Sequence, residues 1–81
     1  MPSGTNRIIV TVIGRDQVGI IAAVSSVLAE AQANIVDISQ TTLQEFFAMI
    51  MMADLEHASL PFAEIKQRLN DKGEAMGLRI D

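Results

Sequence analysis

A four-stranded antiparallel sheet with two helices on one face is the fold that this 81-residue sequence predicts. Three observations carry it. A β-branched run leads at once into a helical apolar stripe. Two extended apolar runs stand only two residues apart, and a second helical stripe runs into a short apolar end. In order these give β-α-β-β-α-β, an α+β sandwich of the ferredoxin-like kind. It is expected as one domain over residues 7–81, behind a flexible stretch at residues 1–6.

The first strand is Ile8-Ile9-Val10-Thr11-Val12-Ile13, with Gly14 expected to end it. In the helix that follows, Ile20, Ile21, Val24, Val27, Leu28 and Ala31 share one stripe. Its other positions are small (Ala22, Ala23, Ser25, Ser26 and Ala29), a surface equally suited to water or to another backbone. Gln32-Ala33-Asn34 closes the helix, with Asn34 the candidate for a left-handed terminus. Ile35 to Leu43 reads as the second strand. Gln44-Glu45 reverses the chain, and Phe46 to Ala53 returns as the third. After a loop from Asp54 to Leu60, Pro61 opens a helix whose stripe is Phe62, Ile65, Leu69 and Met76. Gly73 costs that helix about 1 kcal/mol against Ala, which predicts a loose last turn. Gly77 is the expected terminator, and Leu78 to Asp81 the fourth strand.

The strands carry a second message. A sheet wetted on one side should alternate apolar with polar residues. Here Phe46, Ala48, Ile50 and Met52 lie opposite Phe47, Met49, Met51 and Ala53, so both faces are apolar. The first strand repeats the pattern, with Ile8, Val10 and Val12 against Ile9, Thr11 and Ile13. Two helices cover one face only. With 49% hydrophobic residues on a short chain, assembly with another copy is the economical expectation.

Composition excludes several function classes. Net charge is −4 and the basic residues are scattered, which argues against a nucleic-acid partner. There is no Cys, hence no disulfide, thiolate chemistry or thiolate metal site. No apolar stretch approaches the roughly 20 residues that span a bilayer. The first residues lack a leader pattern, and a cytoplasmic location is expected. His57, the single histidine, stands beside Glu56 without the convergent ligands that a metal requires. Ser25 and Ser26 have no base nearby in sequence, so nucleophilic catalysis has little support. No cofactor is implied.

The most informative segment is Gly14-Arg15-Asp16-Gln17-Val18-Gly19-Ile20. The helical pattern begins at Val18, which makes Asp16 the expected N-cap. Helix N-termini present unpaired N–H groups and partial positive charge, which attract carboxylates and phosphates. Gly14 and Gly19 would leave that backbone open to a ligand. The same residues equally suit a turn and a cap with nothing bound, and G-x-D-x-x-G alone is a weak motif.

The wider pattern is more specific. Val12 to Ile21, Leu28-Ala29-Glu30, Asn34-Ile35-Val36-Asp37-Ile38 and Ser39-Gln40-Thr41 together resemble the ACT domain family. The closest likeness is to small stand-alone members, distantly similar to the glycine cleavage system repressor. The resemblance implies a non-enzymatic regulatory module that pairs with itself, commonly joining sheets edge to edge. It also implies a pocket for an amino-acid-like ligand between subunits. Carried onto this sequence, Gly14, Asp16, Gly19 and Ile20 form the turn side of that pocket, and Asn34 and Ile35 the other side. Arg15, Gln17 and Val18 occupy variable positions that set selectivity; many relatives have Pro where this chain has Val18. A regulated protein is a further expected partner. The alternative is a ligand-free oligomerisation or protein-interaction module. Among enzymes of this architecture an acylphosphatase, which pairs a positioned Arg and Asn, is the nearest, but the loop pattern does not resemble it.

Overall fold

The computed structural model describes residues 6–81. The elements are β1 (Arg7–Arg15), α1 (Ile20–Glu30), β2 (Asn34–Leu43), β3 (Phe46–Asp54), α2 (Phe62–Met76) and β4 (Arg79–Ile80). All neighbouring strands are antiparallel, in the order β2-β3-β1-β4. The β-α-β-β-α-β order and the layering are as expected. Of the flexible stretch expected at residues 1–6, only Asn6 lies within the described residues; its carbonyl accepts the Leu55 N–H at 2.9 Å.

The core lies between one sheet face and the helices. Val10 and Val12 of β1 and Met49 and Met51 of β3 meet Val24 and Leu28 of α1 and Ile65 of α2, all fully buried. Each such side chain contributes about 1.5–3 kcal/mol. The α1 stripe is buried as predicted except at Ile21, and Phe62 of the α2 stripe is also exposed. Phe62 opens its helix and borders an open hollow with Ile8, Ile9 and Val10 of β1.

Both helices close in the same way. In α1 the Ala33 N–H reaches back to Leu28 O at 2.9 Å and the Gln32 N–H to Ala29 O at 3.0 Å. In α2 the Leu78 N–H reaches Gly73 O at 2.8 Å and the Gly77 N–H reaches Glu74 O at 3.3 Å. This paired closure needs a left-handed residue, supplied by Gly77 (φ 71) as expected and by Gln32 (φ 58). Asn34 is not that residue; it opens β2.

Two glycines have roles that differ from the expected ones. Gly14 does not end β1: it pairs with Phe47 inside the strand, which continues to Arg15. A Cβ there would stand 2.6 Å from Leu78 Cδ2. Gly73 marks no loose turn either. It is buried, and a Cβ would lie 2.9 Å from the Leu78 carbonyl oxygen. Both glycines let the α2–β4 connection close against the rest of the domain. The strand at that edge is short. The ladder extends one step beyond β4 through reciprocal Thr11–Asp81 backbone bonds of 2.9 Å.

The other edge is β2, exposed along its whole length and bulged between Ile35 and Asp37. The second sheet face is open. It carries Ile9, Ile13, Phe46 and Ile50, all exposed.

Candidate functional site

Between β1 and α1 the chain crosses from sheet to helix layer through Asp16, Gln17, Val18 and Gly19. Two ties hold this turn. The Asp16 N–H donates to Glu45 O at 2.8 Å, fastening it to the β2–β3 hairpin. The Gln17 Nε2 donates to Met76 O at 3.0 Å, fastening it to the end of α2. Just beyond those anchors Val18 is 99% exposed.

Gly19 then redirects the chain. It takes a left-handed conformation, φ 93 and ψ 6, at the N-cap of α1. The expected start at Val18 with an Asp16 cap is therefore corrected: the helix begins at Ile20, and no side chain caps it. The Asp16 backbone is committed to the hairpin, too early in the chain to serve the first turn.

An open set of donors results. The Ala23 N–H bonds Gly19 O at 2.9 Å, leaving the Ile20, Ile21 and Ala22 amides ahead of it without an intrahelical acceptor. No acidic residue lies in this first turn. The amides border a shallow, solvent-open hollow between Asp16, Gly19, Ile21, Ala22 and the Phe47 ring. A Cβ built on Gly19 would meet nothing within 4 Å, so ligand atoms have room to approach. A carboxylate is the group that such a helix start accepts best.

The remaining candidates are distributed unevenly. Gly14 lies in β1 under Leu78, so the expectation that it exposes backbone at the turn is corrected. The Arg15 guanidinium lies 5.9 Å from the centroid of the Phe46 ring, a residue of the open sheet face. Asn34 and Ile35 are at the opposite end of the sheet. Asn34 stands level with Asp54 and Arg7, while the turn follows Arg15. Eight strand residues separate those levels, about 27 Å at the usual rise. One chain cannot place both groups around one small molecule.

Ala22 and the carbonyls of Glu45 and Met76 take part in the site without having been singled out in the sequence. Their roles are made by backbone groups, which side-chain patterns do not report. At the far end Gln32, Asn34, Asp54, Glu56 and His57 border a second hollow. The Asp54 Oδ1 there accepts the Glu56 N–H at 2.9 Å. Among the described residues, no three His, Cys, Asp or Glu side chains converge as a metal site would need.

Comparison with known proteins decides the family. The ACT domain profile matches residues 6–81, nearly the whole chain. The chain belongs to the ACT domain family. A UPF0237 protein of Clostridium acetobutylicum is 53% identical over 74 residues, spanning 91% of this ACT domain and 83% of that relative. A UPF0237 protein of Methanocaldococcus jannaschii is 48% identical over 75 residues, 93% of this chain and 83% of its own. Among solved structures, an ACT domain protein from Streptococcus pneumoniae superposes with a TM-score of 0.79 at 35% identity, covering 93% of this chain and 84% of that one. A putative glycine cleavage system transcriptional repressor gives 0.82 at 20% identity, covering 93% of this chain and 43% of that one; this is a likeness of fold. ACT membership makes this a regulatory, ligand-binding type of module. Among the described residues no helix is long and apolar enough to cross a membrane.

Proposed function

We propose that this ACT domain is a non-enzymatic, cytoplasmic sensor that binds an amino acid or a closely related carboxylate between two copies of itself. The observation that carries the reading is the uncapped start of α1, where the Ile20, Ile21 and Ala22 amides face an open hollow behind Gly19. A carboxylate there would accept from those amides and meet the helix dipole. The Asp16 side chain makes no hydrogen bond among the described residues and is available to an ammonium group. In this proposal Arg15, Asp16, Gln17, Val18, Gly19 and Ile20 come from one subunit, with Arg15, Gln17 and Val18 setting selectivity, while Gly14, covered by Leu78, only supports the turn from within β1. Asn34 and Ile35 come from a second subunit. Joining sheets through β2, exposed along its length, would bring the Asn34 end of one copy towards the turn end of another. The bound module would then act on a regulated protein.

Thermal unfolding against a set of amino acids and related carboxylates tests this. A true ligand at 100 times its dissociation constant should stabilise the fold by about 2.7 kcal/mol. Mixing decides the two-subunit composition. A variant altered at Ala22 and one altered at Asn34 should each lose the response, and mixed assemblies should regain part of it. A folded oligomer that responds to nothing would leave the second reading, an interaction module without ligand, which the same exposed β2 favours.

A further inference from the structure

The two helices close by the same pair of backbone bonds, and the carbonyl just before each left-handed residue is left over. In α1 that carbonyl is Ala31 O, and in α2 it is Met76 O. The first is served by main chain: the Ser59 N–H donates to Ala31 O at 2.8 Å. The second is served by a side chain, since the Gln17 Nε2 donates to Met76 O at 3.0 Å. No basic residue lies in the last turn of α2 to take over that role. A backbone donor stays wherever its segment stays. A side-chain donor can let go, and this one belongs to the β1–α1 turn.

Both partners of this bond are lightly held. On the turn, Val18 is almost fully exposed and Gly19 is left-handed, while the backbone is fastened back at Asp16 by its N–H to Glu45 O. Beyond Met76, β4 spans two residues and pairs with β1 at Val12 and Ile13, with the Thr11–Asp81 step next to them. Leu78 leads into β4 and lies against Gly14, where a Cβ would stand 2.6 Å from its Cδ2. The α2–β4 connection thus meets the β1–α1 passage twice, through Leu78 at Gly14 and through Met76 at Gln17. The first contact is apolar and allows sliding. The second is directional and fixes the turn against the helix end. Segments with few buried contacts open first, and two such segments joined by a specific bond open together.

We propose that Gln17 is a positioning residue that couples the entry of α1 to the β4 edge, so that the turn and the α2–β4 connection are held or released as one unit. A molecule that fixes the turn then orders β4 as well. That consequence rests on the carboxylate site proposed above; the coupling itself does not.

Hydrogen exchange of single amides in the whole chain tests the coupling. Gln17→Leu removes the donor and keeps most of the bulk. With the circular dichroism spectrum unchanged, the Leu78 and Asp16 amides should exchange about two- to fivefold faster, as for one lost neutral hydrogen bond. The Ala33 amide, in the equivalent closure of α1, should keep its rate. Gln17→Lys should restore both rates, because an ammonium donates to the same carbonyl and suits a helix C-terminus. Leu78→Ala approaches from the other side and should quicken the Asp16 amide more than the Ala33 amide. An unchanged Leu78 rate in Gln17→Leu, a rise at Leu78 without one at Asp16, or an equal rise at Ala33 would overturn the coupling. If the coupling holds and no amino acid of the thermal screen slows Leu78 exchange in the wild type, the carboxylate site falls and the coupling stands.

Discussion

Helix α1 enters from a left-handed glycine, with no carboxylate in its first turn and no side-chain cap. Helix α2 enters from Pro61 in extended conformation and carries Glu64 in its first turn. There the Glu64 and Ile65 N–H groups both reach Pro61 O at 3.1 Å, and the Glu64 carboxylate lies near the positive end of the helix dipole. It also pairs with Arg68 at 3.1 Å on the exposed surface. Neither helix start has a side-chain cap, but α2 carries a first-turn carboxylate and α1 carries none. Helix stability would be served by treating both alike, so the uncompensated start is where binding is expected.

The largest effect on this contrast should come from Gly19→Ala. Its Cβ has space, so the cost is backbone strain alone, about 1–2 kcal/mol for an ordinary residue held left-handed. Urea unfolding should show that loss, and Gly19→Asn should recover most of it. A smaller effect of opposite sign is expected from Ala22→Glu, which gives α1 the first-turn carboxylate that α2 already has. The unliganded domain should gain about 0.3–1 kcal/mol, and stabilisation by carboxylate ligands should disappear. If the ligands still stabilise this variant, the site is not at α1. Smallest is Glu64→Gln, expected to remove about 0.5 kcal/mol at low salt and less at high salt. The exposed Arg68 pair adds little to that figure.

Elements whose signal is local were readable in the sequence. The β-branched run from Ile8, the stripe from Ile20 to Ala31 and the Gln44-Glu45 reversal each predicted the observed element. The apolar outer face of β3 was equally plain. Positions governed by distant partners were misread. Gly14 looked like a strand end, yet its missing side chain serves Leu78, far along the chain. Gly73 looked like a weakness and is a close approach to the Leu78 carbonyl. Asp16 looked like a cap, but its N–H belongs to the hairpin at Glu45. The bulge between Ile35 and Asp37 had no local signature. In the candidate site, the turn was legible because glycines punctuate it. The donors were not, because backbone amides have no sequence of their own.

The separation of Asn34 from the β1–α1 turn has a quantitative consequence. A metabolite that gains free energy from both places in the proposed site gains it only by holding two chains together. Binding and assembly are then linked equilibria, and each must shift the other by the same factor. If pairing tightens the ligand tenfold, saturating ligand tightens pairing tenfold. The amount of this protein in the cell would thus enter its dose–response curve alongside the amount of metabolite.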